Sequence, residues 1–184
     1  ATPAADRPID IEIGYSTKPR RGAYFVGPDA AYPNKHREMW TQGQDEDSRF
    51  WFPCFDYPNE KASSEIVVKV PKGMTSLSNG KLLSKTAKGD FEIHHWRQEI
   101  PHVAYLVTLV VGDYVKVNDE WDGLEVSYLV PPGREGDGKR SFSKTPKMVE
   151  LFSRLTGVRY PYEKYSQITA VDFIFGGMEN TTAT

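Results

Sequence analysis

Cysteine is almost absent from the sequence, since Cys54 is the only one among 184 residues. A single cysteine excludes a disulfide bond within the chain but is compatible with any cellular compartment. Cys54 lies in the aromatic segment FPCFDYP, with no lysine or arginine beside it to favour the thiolate. We therefore interpret Cys54 as a core thiol and not as a nucleophile.

The sequence also lacks a long apolar run and a block of like charge. Its longest apolar run, VAYLVTLVV at residues 103–111, is far shorter than the roughly 20 residues that cross a bilayer as a helix. The net charge is −2 and the basic residues are scattered, whereas nucleic-acid binding usually needs a basic stripe. We therefore expect a soluble protein with no membrane span and no nucleic-acid partner.

The chain begins at Ala1, without Met and without the charged and then apolar segment that is typical of a signal peptide. Any signal peptide is expected to be absent or already removed. The compartment therefore stays open between the cytoplasm, the periplasm and the exterior.

Histidine is scarce, and its pattern does not match a metal site. The four histidines form no H-E-x-x-H motif, and no cysteine pair accompanies them. The adjacent His94 and His95 would point to opposite faces of a strand. We therefore expect no metal site within this chain.

Short segments rich in β-branched residues, bounded by Gly, Pro and Asn, predict a mainly β fold, either a sandwich or a large mixed sheet. Residues 64–71 and 123–131 predict strands, and alternation over residues 91–98 predicts another. The apolar residues 102–117 predict one long strand that is buried on both faces. Asn79-Gly80 is the strongest two-residue hairpin signal in the chain.

The composition changes near residues 131–140, which are rich in Pro, Gly and charge and predict a linker or exposed loop. A helix is predicted next, with Thr145 as N-cap and Gly157 as its end. Its apolar residues share one face at helical spacing; they are Met148, Leu151, Phe152 and Leu155. We therefore predict a β-domain over residues 1–132 and the beginning of a second domain over residues 133–184.

Both ends of the chain are interpreted as cuts through a larger protein. Residues 1–39 contain little regular pattern apart from the alternating IDIEIGYS. At the other end, an apolar segment runs into GGMEN at residues 176–180, and the chain ends at Thr184.

The GGMEN segment is the first candidate binding site. The two glycines, Gly176 and Gly177, allow another molecule to approach the main chain closely. A glutamate just after such a turn, here Glu179, can project its carboxylate into a cleft and bind a ligand ammonium group. The alternative is an ordinary surface turn with a solvated glutamate.

Two glutamines form the second candidate. Gln42 and Gln44 are two residues apart, so on a strand they would point to the same face. Amide oxygens on one face can accept hydrogen bonds from an ammonium group. The alternative is a core with a polar edge, because aromatic residues crowd the segment from Trp40 to Tyr57.

These segments resemble the zinc aminopeptidase family of aminopeptidase N and leukotriene hydrolase. Residues 176–180 match the Gly-x-Met-Glu-Asn exopeptidase motif, with the double glycine of the leukotriene hydrolase branch. The stretch TQGQDEDSRFWFPCFDYPNEKAS and the strand-like IPHVAYLVTLVVGDY are similar to two upstream family segments. The resemblance covers residues 40–184, whereas residues 1–39 match loosely.

The resemblance implies a mainly β chain, with the mixed sheets of the family's saddle-like N-terminal domain before an α/β thermolysin-like catalytic domain. It implies that Glu179 binds the free α-ammonium of a peptide substrate, with Gln42 beside it. Gln44 stands where many members carry a second glutamate, so one negative charge is missing. The rest of the implied substrate-binding set is Gly176, Gly177, Met178 and Asn180.

The resemblance also implies a zinc-dependent enzyme that removes N-terminal residues from peptides. Its zinc ligands, general-base glutamate and oxyanion-binding tyrosine are expected beyond Thr184, in the remainder of the parent protein. The isolated chain is therefore expected to be inactive and free of zinc. The alternatives are a scaffold or protein-binding relative without the zinc site and, from the double glycine alone, epoxide hydrolysis beside peptidase activity.

Overall fold

A computed structural model of the chain describes residues 9–184, which form ten strands and two α-helices. The strands are β1 (Ala23–Val26), β2 (Glu38–Thr41), β3 (Ala62–Pro71), β4 (Thr75–Ser78), β5 (Lys81–Lys88), β6 (Phe91–His102), β7 (Leu109–Gly112), β8 (Val115–Trp121), β9 (Leu124–Val130) and β10 (Lys164–Ile168). The helices are α1 (Glu135–Phe142) and α2 (Thr145–Thr156), and Ser48–Phe50 and Ala104–Leu106 form short 3-10 turns. The predicted mainly β architecture is confirmed.

The strands form three sheets. The first sheet has the order β1-β2-β7-β4 and the second has the order β3-β6-β5, and both are antiparallel. The third has the order β10-β9-β8, with β10 parallel to β9 and β8 antiparallel to it. Among residues 9–184, no helix is long and apolar enough to cross a membrane.

The main hydrophobic core lies where the three sheets meet. Trp40 and Leu77 come from the first sheet, Trp96 from the second and Leu129 from the third, and Ala183 reaches the same cluster from the end of the chain. The C-terminal residues are therefore part of the core. Burial of such a cluster is the main favourable term in folding.

The alternation predicted for residues 91–98 is confirmed in β6. His94, Trp96 and Gln98 are buried, whereas Phe91 and Arg97 on the opposite face are exposed. Two of the buried side chains of this face pair with the first sheet, since Ser76 Oγ lies 2.7 Å from His94 Nδ1 and accepts a hydrogen bond from Trp96 Nε1 at 2.9 Å. The first two sheets are thus joined by hydrogen bonds as well as by apolar contact.

The helix α2 is present, but its capping differs from the prediction. Gly157 ends it in the left-handed conformation at φ 70°, as expected for a C-terminal glycine. The N-cap is Lys144, and Thr145 is already helical. The Thr145 hydroxyl donates to Gln167 Oε1 at 2.6 Å, so it is occupied by a tertiary contact. Val149 is the buried apolar residue of this helix, whereas the predicted apolar face (Met148, Leu151, Phe152 and Leu155) is exposed.

The predicted linker at residues 131–140 is wrong in part, because α1 begins at Glu135. Its charged residues pair at a spacing of three, with Asp137 accepting from both Arg134 and Arg140. Gly138 allows close packing, since a Cβ atom there would lie 2.8 Å from Val130 Cγ1. These are contacts that a Pro/Gly count does not reveal.

The prediction of one long strand over residues 102–117 is also wrong. The segment contains the end of β6, the 3-10 turn Ala104–Leu106, β7 and the start of β8. Its apolar residues are buried in several elements that run in different directions, and hydrophobicity alone carries no signal for those changes of direction.

Asn79-Gly80 does not form a hairpin. β4 pairs with β7 in the first sheet and β5 pairs with β6 in the second, so these two residues form a corner between sheets. The true hairpin turn in this region is Gly89-Asp90, between β5 and β6. Both glycines have a positive φ, 69° at Gly80 and 62° at Gly89.

The predicted division between residues 132 and 133 falls between β9 and α1. The third sheet takes β8 and β9 from one side of it and β10 from the other. The division stays a prediction, and its two sides share one sheet.

The corner provides a test with a matched control. A Cβ atom on Gly80 would lie 1.9 Å from the Arg97 carbonyl oxygen, whereas none of the described atoms lies within 4 Å of the corresponding position on Gly89. Gly89→Ala should lower the free energy of unfolding by about 1 kcal/mol, from backbone conformation alone. Gly80→Ala should cost at least about 2 kcal/mol more, because the backbone must move. Urea denaturation measures both, and equal losses would contradict the packing of this corner.

Candidate functional site

Two side chains of β2 bind the segment that connects β10 to GGMEN, and they contact it at Val171. Val171 N–H donates to Glu38 Oε1, and Trp40 Nε1 donates to the Val171 carbonyl oxygen at 3.0 Å. Glu38 and Trp40 lie two residues apart on one strand, so both side chains face the same way. Together they satisfy both backbone polar groups of a residue that lies outside regular structure.

Glu38 is a buried carboxylate that no salt bridge neutralises within residues 9–184. Its second oxygen accepts a hydrogen bond from the Tyr114 hydroxyl at 2.7 Å. Burial raises the pKa of Glu38 above its ordinary value, and the hydrogen bonds from Tyr114 and Val171 partly oppose that rise. Glu38 therefore joins β2, the β7–β8 connection and the approach to GGMEN.

Aromatic packing continues the same path. Tyr24 stacks on Trp40 with ring centroids 4.3 Å apart, and Phe173 meets Trp40 edge to face with ring centroids 5.1 Å apart. Phe175 extends this cluster at 5.4 Å from Phe173. The aromatic side chains lead directly to Gly176.

The two glycines have open space beside them. Gly176 has a φ of 81°, and both glycines are exposed. No atom of the described residues lies within 4 Å of the position where a Cβ would sit on Gly176 or Gly177. The main chain here is therefore accessible to another molecule.

Burial alternates through the rest of the motif. Met178 is 5% exposed and Asn180 is 7% exposed, whereas Glu179 between them is exposed. Met178 and Asn180 line a cavity of about 430 Å³ together with Gly176, Gly177 and, from the first sheet, Trp40 and Thr41 among others. Gln42, Gln44 and Glu179 do not line this cavity.

The two glutamines do not share a strand face, so that prediction is wrong. β2 ends at Thr41, and the chain then turns at Gly43, where a Cβ would lie 2.5 Å from the Tyr105 carbonyl oxygen. Gln42 is 1% exposed, whereas Gln44 is exposed. Gln42 Oε1 accepts a hydrogen bond from the Gln44 N–H at 3.2 Å.

Two buried amide atoms of the predicted site lack a partner among residues 9–184. One is the donor Nε2 of Gln42, and the other is the acceptor Oδ1 of Asn180. Buried polar groups without a hydrogen bond are rare, and each needs an explanation such as a ligand or a water molecule. Both atoms belong to residues that the sequence had already singled out.

Residues after the motif are held by side chains that the sequence analysis missed. Asn79 Nδ2 donates to the Thr181 carbonyl oxygen at 2.7 Å, and Gly80 N–H donates to Thr182 Oγ1 at 2.7 Å. Lys164 Nζ donates to the Thr182 carbonyl oxygen at 2.8 Å. Asn79 had been interpreted as a turn residue, and nothing in the local sequence marks Lys164 as buried.

The described residues do not fit a metal ion. Within residues 9–184, no three or more His, Cys, Asp or Glu side chains are placed to hold one. Three of the histidines have other partners: His94 binds Ser76 and Glu92, His95 binds Glu65, and His102 binds Ser64.

The prediction of a core thiol at Cys54 is wrong in part, because Cys54 belongs to neither hydrophobic cluster of the described residues. It is half-buried and free, and burial raises its pKa to about 11. A thiol with a raised pKa is a poor nucleophile near neutral pH.

Comparison with known proteins gives one consistent result. Residues 1–106 match the peptidase M1 N-terminal domain. Aminopeptidase M1 of Arabidopsis thaliana is 34% identical over 142 residues, 76% of this chain and 16% of that protein. Probable aminopeptidase 2 of Sulfurisphaera tokodaii is 30% identical over 178 residues, 95% of this chain and 22% of that protein. Puromycin-sensitive aminopeptidase of Caenorhabditis elegans is 30% identical over 144 residues, 76% of this chain and 15% of that protein.

Proposed function

Because this chain belongs to the peptidase M1 family, we propose that it is part of a zinc aminopeptidase and that it supplies the group that binds the substrate α-ammonium. The chain spans 15% to 22% of the length of the three relatives compared above. The activity therefore belongs to a larger parent protein, and this chain provides one part of its substrate site.

The observation that carries the proposal is that Glu179 has an exposed side chain between two buried residues. Its neighbours Met178 and Asn180 are both buried, so the main chain at Glu179 is fixed on both sides, while its own side chain is exposed. Within residues 9–184, no lysine or arginine forms a salt bridge with it. An exposed carboxylate that projects from an anchored main chain and has no internal cation suits an external ammonium group.

The neighbouring groups would orient the rest of the peptide. The exposed main chain at Gly176 and Gly177 offers backbone acceptors to an extended substrate, in the manner of a strand edge, whereas the Gly177 N–H already donates to the Phe175 carbonyl oxygen at 3.0 Å. Gln44 is exposed and presents an amide where a carboxylate would add a second negative charge. Such a site binds the ammonium group through one charge, which is Glu179, and through hydrogen bonds that the ammonium group donates to neutral acceptors.

Fixing the substrate amine determines which peptide bond is cleaved. An anchor at the first residue places one bond at the catalytic centre and keeps later bonds away, since positioning of the reacting group accounts for a large part of catalysis. Zinc, when bound in the parent, would supply a Lewis acid and an activated water. Because the described residues do not fit a metal ion, the zinc ligands and the general base belong in this proposal to the remainder of the parent.

Amine binding provides the direct test. L-leucinamide should bind the chain more tightly than 4-methylpentanamide, which has the same skeleton without the amine. Glu179→Gln should lower the ratio of the two affinities about tenfold, because it replaces a charged acceptor with a neutral one. Nuclear magnetic resonance titration measures both affinities, with Glu150→Gln on the exposed side of α2 as the matched control. Equal affinities of the wild-type chain for the two amides would favour a scaffold without an amine site.

A second test concerns catalysis by the isolated chain. We expect no turnover of L-leucine p-nitroanilide, with or without added zinc, because the proposal places the metal ligands elsewhere in the parent. Absorbance of released p-nitroaniline is the measurement. Turnover that a chelator abolishes would contradict the proposal and would require a complete catalytic centre within this chain.

A further inference from the structure

Lys164 occupies an unusual position for a lysine. It is the first residue of β10 and is 5% exposed. Its ammonium group donates to the Ser78 carbonyl oxygen at 3.0 Å, to the Thr182 carbonyl oxygen at 2.8 Å and to Thr182 Oγ1 at 3.1 Å. It also lies 5.4 Å from the centre of the Trp96 ring. Lysine is almost never fully buried unless it is paired.

None of these partners is an anion. Within residues 9–184, Lys164 forms no salt bridge with a carboxylate. Burying an ammonium group without a counter-ion is costly, so an apolar residue of similar size would suit a purely structural position better. The three acceptors therefore point to what the ammonium group does, which is to connect two segments.

The two connected segments are distant in sequence. Ser78 ends β4 in the first sheet, and Thr182 lies two residues after Asn180 at the end of the GGMEN motif. Lys164 itself belongs to the third sheet, so a single side chain joins both sheets to the residues after the motif.

Thr182 needs such a restraint. Its φ is 65°, in the left-handed region that β-branched residues rarely adopt. A backbone conformation of this kind persists only where surrounding contacts fix it. Two of the hydrogen bonds that fix it come from Lys164 and a third comes from the Gly80 N–H, while the Ser166 N–H of β10 donates a fourth to the Thr182 carbonyl oxygen at 3.0 Å.

We propose that Lys164 is a positioning residue for amine binding, because its buried ammonium group fixes Thr182 against Ser78 and thereby holds the main chain that carries Glu179. This inference rests on the proposed amine-binding role of Glu179. It assigns to Lys164 no contact with the substrate.

The three hydrogen bonds of Lys164 use the three donors that only the charged ammonium form carries. Burial lowers the pKa of Lys164 to about 7, although the charge of Glu125 opposes that shift, so the charged form predominates below about pH 7. A charged donor forms stronger hydrogen bonds to carbonyl oxygens than a neutral one does. Methionine would fill the same space without a donor or a charge, so Lys164→Met removes the hydrogen bonds together with the cation–π contact to Trp96.

Hydrogen exchange on the full chain tests the contact itself. In Lys164→Met, the amides of Gly80 and Thr184 should exchange about tenfold faster, because the charged hydrogen bonds that order this segment are lost. Amides between β3 and β6 should keep their rates. The matched control is Lys147→Met, which removes an exposed lysine of α2.

Amine preference tests the positioning role. Lys164→Met should lower the affinity for L-leucinamide about fivefold and leave that for 4-methylpentanamide unchanged, since a displaced Glu179 loses its charge-assisted contact alone. A residue that contributes only to stability would not change the ratio of the two affinities. Unchanged exchange at Gly80 and Thr184, or an unchanged affinity ratio, would overturn the inference.

Two other variants, Thr182→Val and Glu179→Gln, separate a failure of the positioning role from a failure to fold or to bind the amine. If Lys164→Met does not fold, Thr182→Val removes the hydroxyl that Lys164 and Gly80 share, and it should speed exchange and lower the affinity ratio in the same direction. If Glu179→Gln leaves the affinity ratio unchanged, the amine-binding role fails and the positioning role fails with it. The exchange rates still report whether Lys164 holds Thr182.

Discussion

The arrangement of the site depends on the hydrogen bonds of one buried side-chain amide, that of Asn79. Its Nδ2 donates to the carbonyl oxygens of Leu106 at 2.8 Å and Thr181 at 2.7 Å, and its Oδ1 accepts from the Thr108 N–H at 2.7 Å. All three groups lie in segments without a strand partner at that point, and buried backbone groups must find partners elsewhere. One buried amide thus joins the first sheet to the end of the chain.

The segment between Val171 and Thr181 is held at both ends and carries the candidate site between them. At one end, Glu38 and Trp40 bind the backbone of Val171, and at the other the corner at Asn79 binds Thr181. Such anchoring orders an irregular segment without a strand or helix, and rigid supporting elements are what a binding site requires. The main chain that carries the exposed Glu179 side chain therefore has a defined path.

The sequence predicted those features that local patterns determine. The end of α2 at Gly157 follows from the left-handed conformation that glycine adopts easily, and the buried face of β6 follows from strict alternation. The GGMEN segment was found because glycines next to a glutamate suggest chemistry, and a family resemblance gave it a role. Amine binding by Glu179 stays a prediction, whereas membership of the peptidase M1 family is confirmed.

The remaining features depend on contacts between distant residues. Asn79-Gly80 has the composition of a hairpin turn, but β4 and β5 pair with different partners, and no local signal distinguishes a turn from a corner between sheets. Gln42 and Gln44 were placed on a strand that ends one residue earlier, because Gly43 packs against Tyr105. Lys164 has the composition of a surface residue, and only its tertiary contacts reveal it as buried.

A crystal structure of the chain with bound L-leucinamide would test the central claim most directly. The proposal predicts that the ligand amine lies about 3 Å from a carboxylate oxygen of Glu179, with the ligand beside the open main chain of Gly176 and Gly177. An amine bound away from Glu179, with the Glu179 side chain still in solvent, would contradict the assignment of this residue as the amine anchor.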